Sequence, residues 1–182
     1  LTENGILQAQ EAGKALNKTS IPIHGVYCSP SKRAKETVAL FINQSYSTDE
    51  RLYEKFYGPY EGANEEQYCI VKEIEERHNT GPHKNFLDKF LFKAHPNMES
   101  MSDIHKRVSS FLFEKHQQHR GQNVVVATHN GILKAFFMDS VARLGLDVDY
   151  RSFIVGNASI LVLEVNDQTI EAKAATGFKS LF

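Results

Sequence analysis

Hydrophobic residues along the chain follow two different spacings. Apolar or small residues recur every three or four positions from Ile6 to Leu16, behind Thr2, which can cap a helix. This spacing predicts an amphipathic helix over residues 3–17. Residues 124–127 are instead an uninterrupted apolar run, as expected for a central parallel strand covered on both faces. The chain alternates between these patterns, which predicts an α/β protein.

The other segments continue this alternation of strands and helices. A short strand at Val26 and Cys28 runs into Ser29 and Pro30, which favour the start of a helix. The remaining patterns predict helices at about 64–77, around 86–91, from Ser100 or Ser102 onwards and after Gly131, and strands at 159–165 and 170–174. We expect helices on both faces of a mostly parallel sheet, with ligands bound beyond the carboxyl ends of its strands.

The composition narrows the classes of function. With 182 residues, of which 41% are hydrophobic and 24% charged, the chain is expected to form one domain over 1–182. A formal net charge of -1 gives no long-range field that would gather nucleic acid or an anionic membrane. No apolar run approaches the roughly 20 residues of a membrane span, and the opening residues are too polar for a secretory signal. We therefore expect a cytoplasmic protein with neither nucleic-acid nor membrane partners.

Two cations stand in the opening turn of the helix that follows Pro30. Lys32 and Arg33 lie where the positive end of the helix dipole would favour Asp or Glu. A bound anion would make this arrangement favourable, because helix N–H groups and an arginine fork together hold phosphate. The alternative is that both side chains point into solvent.

His129 directly follows the predicted buried strand and precedes a helix. A helix N-terminus disfavours an imidazolium, whereas a nearby phosphate favours it, so this histidine can respond to the charge of a ligand. The alternative is an ordinary capping or packing residue.

The segment 51–62 is dense in aromatic rings, glycines and carboxylates, and it is too broken for a helix. A carboxylate such as Glu54, held among aromatic rings, would have its ionised form disfavoured, which is how a proton donor is made. The alternative is an ordinary surface carboxylate.

Taken in order, several segments resemble the histidine phosphatase superfamily of the phosphoglycerate mutase type. They are Leu1–Gly5 with Gln8 and Ala9, Ser29–Pro30 with Arg33, Ala34 and Thr37, Leu52, Glu54, Tyr57 and Gly58 with Glu61–Gly62, Glu99–Ser100 with Arg107–Val108, Val124–Gly131, and Gly156–Ser159. The resemblance covers residues 1–62 and 97–165. It implies a three-layer α/β/α sandwich, phosphoglycerate mutase-like, with a mostly parallel central sheet. Residues 63–98 are expected to be an insertion that covers the active site.

The resemblance also implies an activity, in which a phosphomonoester is hydrolysed through a phosphohistidine without a cofactor or a metal ion. Carried onto this sequence, Arg33 would grip the phosphoryl oxygens, Glu54 would act as acid and then base, and His129 would donate to the transferring group. Tyr57 and the backbone N–H of Asn130 would contact the substrate. The implied partner is a small phosphorylated molecule, and a homodimer is left open.

The family's opening Arg-His-Gly motif is absent from this sequence. We therefore expect the nucleophilic histidine, and the central strand that carries it, upstream of Leu1. A chain that truly began at Leu1 would be inactive and unstable. A second departure is Asn130, where the family more often has glycine.

Three alternatives stay open on the sequence. A phosphoglycerate mutase-type phosphotransferase would use the same residues, and a catalytically inactive interaction domain would use the same fold. A cysteine-based phosphatase would make Cys28 the nucleophile ahead of Arg33. Four residues separate these two where that chemistry uses five, and Pro30 removes an N–H that would hold phosphate.

Overall fold

The computed structural model of the protein describes residues 1–80, 85–145 and 153–180. In these residues the helices are α1 (Glu3–Lys18), α2 (Lys32–Phe41), α3 (Glu65–Thr80), α4 (Phe86–Leu91), α5 (Met101–Gln118) and α6 (Asn130–Arg143). The strands are β1 (Gly25–Cys28), β2 (Ser47–Thr48), β3 (Val124–Ala127), β4 (Phe153–Val165) and β5 (Ile170–Ser180). Each predicted helix and strand is present, although the last two strands run further than the pattern indicates.

A parallel three-stranded sheet lies at the centre of the fold, in the order β2, β1, β3. Tyr27 of β1 lies beside Val126 of β3 and Ser47 of β2. Because the three strands run in the same direction, their carboxyl ends share one edge, and the residues that follow Cys28 and Ala127 meet there. The sequence pattern does not predict β2, since two residues are too few to show an alternation.

β4 and β5 form a separate antiparallel pair. Their turn is closed by the backbone N–H of Asn166, which donates to the carbonyl oxygen of Thr169 at 3.0 Å. The pairing continues past two irregularities in register, one between Val155 and Ile160 and one between Val162 and Leu163. These irregularities interrupt the apolar alternation, which is why the pattern predicts shorter strands.

Helices cover both faces of the parallel sheet. Val26 and Cys28 face α1 and α2, where they pack with Val38 in one apolar cluster. Tyr27 and Val126 face the opposite way and pack against α5 and α6. This alternation along each strand produces the three-layer α/β/α arrangement, and the predicted fold class is confirmed.

Local capping decides where two of the helices begin. The Thr2 hydroxyl accepts a hydrogen bond from the Gly5 N–H at 3.1 Å and starts α1. Ser100 and Asp103 form a reciprocal capping box, so α5 begins at Met101. Of the two caps that the sequence offered for α5, Ser100 is therefore the one used.

The segment between β2 and α3 contains the acid loop, residues 51–62. It carries two short 3-10 turns, Glu50–Leu52 and Gly58–Tyr60. Leu52 is fully buried in the core beneath α5 and α6, and its carbonyl oxygen accepts a hydrogen bond from the Thr128 hydroxyl at 3.0 Å. This anchor brings the loop to the carboxyl edge of the parallel sheet.

Candidate active site

His129 lies between the end of β3 and the start of α6 and is 6% exposed. Its Nε2 atom is 2.8 Å from Ser29 Oγ and 3.3 Å from Ser31 Oγ. Burial, followed by the positive charges of Arg33 and Arg107, lowers the pKa of His129 to about 4. The imidazole is therefore neutral in the ligand-free protein at neutral pH, and an anion brought close to it would raise this pKa.

Ser31 is the N-cap residue of α2, yet its hydroxyl faces His129. Within the described residues, no N–H of the first turn of α2 donates to the Ser31 side chain. Ser29 is fully buried, and its Oγ accepts a hydrogen bond from the Ser31 N–H at 3.3 Å. The amino end of α2 is thus directed at the sheet edge that carries His129, an arrangement suited to an anion.

The two cations at the start of α2 behave differently. The Lys32 side chain is 91% exposed and pairs with Glu36 one turn along the helix, at 3.8 Å. For Lys32 the solvent-facing alternative holds. Arg33 is also exposed, but its charge helps to lower the pKa of His129, so it lies on the histidine's side of the molecule. Of these two cations, Arg33 is the one whose charge acts on His129.

The Glu54 carboxylate lies on the first turn of α6. Its Oε1 accepts hydrogen bonds from the Gly131 N–H at 3.1 Å and from the neighbouring Lys55 N–H at 2.9 Å. A Cβ atom at position 131 would lie 2.5 Å from Oε1, so the carboxylate fits there only because residue 131 is glycine. The positive end of the α6 dipole also favours a carboxylate at this position. Glu54 and His129 therefore meet at one helix N-terminus.

Tyr53 and Phe56 do not enclose Glu54, because their rings turn outward and are 44% and 51% exposed. Charged groups approach the carboxylate instead: burial lowers the pKa of Lys134 of α6, and the carboxylates of Glu75 and Glu54 oppose that shift.

The two predicted substrate contacts have different surroundings. The Tyr57 ring centroid lies 5.1 Å from Lys55 Nζ, next to Glu54 in the acid loop. The Asn130 side chain is used in the scaffold, because its Nδ2 donates to the carbonyl oxygen of Val155 in β4 at 2.8 Å. Asn130 has ordinary helical geometry and a negative φ, so asparagine is accepted here in place of glycine. Its backbone N–H belongs to the first turn of α6.

Cys28 is poorly suited to act as a nucleophile. It is fully buried, and burial raises the pKa of its thiol to about 11. Its Sγ donates to the carbonyl oxygen of Ser29 at 3.1 Å. A buried thiol that holds its proton does not attack phosphorus at neutral pH, which argues against the cysteine-based alternative.

Three neighbours of the site escaped the sequence analysis, although all lie within segments that it singled out. Ser29 and Ser31 surround the imidazole, and Gly131 makes room for the carboxylate. The usable signal for Gly131 was a glycine directly behind a strand and inside the opening turn of a helix, where a close approach of another group is common. The two serines carried no comparable signal, because their partner lies about a hundred residues away.

Two further observations concern metal binding and membrane insertion. Across the described ranges, no group of three or more His, Cys, Asp or Glu residues is arranged to hold a metal ion. In the same ranges, no helix has the length and apolar character needed to cross a membrane.

Comparison with known proteins places this geometry in a family. Residues 1–176 match the histidine phosphatase superfamily, branch 1. The chain belongs to this superfamily. The predicted resemblance is therefore confirmed, and membership in the histidine phosphatase superfamily supports an enzyme of the phosphatase or mutase type.

Individual relatives include both kinds of enzyme. A protein from Hydrogenobacter thermophilus, named as a candidate phosphoserine phosphatase, is 34% identical over 143 residues, which is 74% of this chain and 63% of that protein. A 2,3-bisphosphoglycerate-dependent phosphoglycerate mutase from Bartonella tribocorum is 27% identical over 181 residues, which is 95% of this chain and 84% of the mutase.

Solved structures share the fold. YhfR from Bacillus stearothermophilus superposes with a TM-score of 0.71 at 24% identity, over 94% of this chain and 82% of that chain. A mycobacterial glucosyl-3-phosphoglycerate phosphatase in complex with inorganic phosphate gives a TM-score of 0.68 at 23% identity, over 95% of this chain and 84% of that chain. These likenesses establish the architecture around the site.

Proposed function

We propose that this protein hydrolyses a small phosphomonoester through a phosphohistidine, without a metal ion. The observation that carries the proposal is the meeting of Glu54 and His129 at the amino end of α6, with the amino end of α2 and Arg33 beside them. Phosphoryl transfer needs positioning and neutralisation of charge more than covalent chemistry from many residues. That need is met by two helix N-termini, an arginine, and a histidine that gains a proton near an anion.

In this proposal each residue has one task. Arg33 holds the phosphoryl oxygens, and His129 donates a hydrogen bond to the transferring group. Glu54 gives a proton to the leaving oxygen and later takes one from the attacking water, which is the pairing of acid and base that a two-step reaction requires. Tyr57 and the backbone N–H of Asn130 contact the substrate. We also propose that the segment 63–98 covers this region. In support, Lys55 of the acid loop pairs with Glu75 of α3 at 2.5 Å.

The nucleophilic histidine is proposed to lie upstream of Leu1. In the described part of the chain, β3 pairs with β1 alone, so its second edge is open to a further strand next to His129.

Activity measurements on the natural protein that contains this chain test the proposal. Phosphoserine, 3-phosphoglycerate and an aryl phosphate, each labelled in the phosphoryl group, serve as substrates, and rapid acid-free quenching traps a labelled phosphoenzyme. We expect acid-labile, alkali-stable label, as a phosphohistidine gives. Chelation of metal ions is expected to leave the rate unchanged.

Variants separate the residues' roles. Glu54→Gln is expected to slow hydrolysis on the order of 10²–10⁴-fold, the range for loss of a general acid. His129→Ala should also abolish most activity, while Cys28→Ser and the surface variant Arg120→Gln retain it. Full activity in His129→Ala, or label that is stable to acid, would contradict the proposal.

The same experiment decides between hydrolysis and transfer. A mutase is favoured by the relative from Bartonella tribocorum, which matches over 95% of this chain. If added 2,3-bisphosphoglycerate accelerates isomerisation of 3-phosphoglycerate beyond its hydrolysis, the mutase reading replaces the phosphatase one. If the natural protein neither turns over any of these substrates nor takes up label, an inactive interaction domain replaces both.

A further inference from the structure

The side chain of Arg107 in α5 binds the backbone of the acid loop. Its Nη1 donates to the carbonyl oxygen of Arg51 at 2.5 Å, and its Nη2 donates to the carbonyl oxygen of Glu54 at 3.2 Å. These two carbonyls stand on either side of the buried anchor Leu52 and of Tyr53. The guanidinium therefore fixes the path of the chain directly before and at the proposed acid, and within the described residues it donates to no atom of the Glu54 carboxylate.

Glu99 holds Arg107 and the far side of the loop at once. Arg107 Nε donates to Glu99 Oε1 at 2.6 Å, and Nη2 donates to Glu99 Oε2 at 2.8 Å, a two-pronged pair. Glu99 Oε2 also accepts from the Phe56 N–H at 2.9 Å, and the Glu99 N–H donates to the Phe56 carbonyl oxygen at 2.9 Å. The backbone is thus clamped at residues 51, 54 and 56.

Arg107 is anchored in the long helix α5. Arg107 lies inside α5, a helix of 18 residues whose start is fixed by the capping box at Ser100, and its side chain is 21% exposed. Lysine cannot replace it, because the contacts use three guanidinium nitrogens in a planar fork. Arg107 therefore fixes the position of residue 54 relative to α5. The Glu54 carboxylate in turn accepts a hydrogen bond from the Gly131 N–H of α6.

We propose that Arg107, held by Glu99, is the positioning residue for Glu54. The proposal rests on the proposed function only for the role of Glu54 as the acid. Loss of Arg107 should misplace the Glu54 carboxylate. It also removes a positive charge that lowers the pKa of His129, but it should leave Arg33 and His129 in their positions.

The Gly131 amide is a direct reporter of this positioning. Its N–H donates to Glu54 Oε1, so its nuclear magnetic resonance shift should follow the ionisation of Glu54 as the pH is changed. In Arg107→Gln we expect loss of this titration step. Arg107→Lys should restore only part of it, and Arg120→Gln should keep it entire. Arg120 is the matched control because two of its guanidinium nitrogens also donate to one carboxylate. That carboxylate belongs to Asp167, which lies outside the acid loop.

Retention of the full Gly131 titration in Arg107→Gln would overturn the proposal. Should that variant fail to fold, Glu99→Gln takes its place, since it removes the charge pair and keeps hydrogen-bonding groups. We expect a reduced Gly131 titration in Glu99→Gln, and an unchanged one there would equally overturn the proposal. This measurement needs no catalytic activity, so it stands even where the proposed function fails.

Kinetics of the natural protein provide the second readout. Arg107→Gln should reduce kcat on the order of 10²-fold for an alkyl phosphate, whose leaving oxygen needs a proton, with little change in KM. For an aryl phosphate with a weakly basic leaving oxygen, pre-steady-state release of the leaving group, which reports the first step alone, should slow by less than about tenfold. The double variant Arg107→Gln/Glu54→Gln should be no slower than Glu54→Gln, because both changes remove the same proton donation by Glu54. Additive losses, or equal losses on both substrates, would refute the positioning role.

Discussion

The neutral imidazole of His129 makes stability depend on pH in a defined direction. Burial, reinforced by Arg33 and Arg107, lowers the pKa of His129 from 6.5 to about 4 in the folded protein. The unfolded chain keeps the ordinary value, so it binds this proton more readily than the folded chain. Stability therefore begins to fall as the pH drops below about 6.5, and the fall is complete at about pH 4. Over the whole interval the loss corresponds to about 3 kcal/mol.

Urea unfolding of the parent protein and of His129→Gln tests this value. Between neutral pH and about pH 5 the free energy of unfolding of the parent should fall by about 2 kcal/mol more than that of His129→Gln. Carboxylates that titrate at lower pH, such as Asp103, act in both proteins and cancel in the comparison. Equal slopes against pH in the two proteins would refute the reasoning.

Resonance titration of the His129 ring measures the same quantity directly. We expect a midpoint near 4 without ligand and a higher midpoint with inorganic phosphate, because the bound anion favours the imidazolium. A midpoint near 6.5 in the ligand-free protein would show that the ring is hydrated and that burial has been misjudged. A midpoint unmoved by phosphate would remove His129 from the proposed phosphate site.

Two further predictions concern stability. Glu75→Gln leaves the Lys55 ammonium, whose side chain is 6% exposed, without its counter-charge and should reduce the free energy of unfolding by about 3 kcal/mol, measured in urea. A variant as stable as the parent would show that water reaches Lys55. Gly13→Ala should lower the melting temperature by an amount equivalent to about 2 kcal/mol, because its Cβ would overlap the Phe41 carbonyl oxygen where α1 crosses α2. Gly5→Ala, where the new Cβ makes only ordinary contacts, should instead raise it, as helix propensity favours; a rise in both would count against the close packing.

The order of side chains along the chain is enough to predict the elements and the edge of the sheet at which the site lies. Helical and strand spacings are local properties, so α1 and β3 could be predicted from side-chain order alone. Parallel strands share their carboxyl edge, and this rule brings Arg33 and His129, which each follow such a strand, to the same end of the sheet. The order of the motifs also determined the family.

The assembly of the site depends on contacts between residues that are distant along the chain. The hydrogen bonds of Glu54 to Gly131 and of His129 to Ser29 join residues separated by 77 and 100 positions, and no periodicity encodes such contacts. The backbone of the acid loop is likewise held by distant residues, Arg107 of α5 and Glu99 just before that helix. Spacing along a chain reports which face of an element is apolar, whereas partners across the fold depend on how the elements pack.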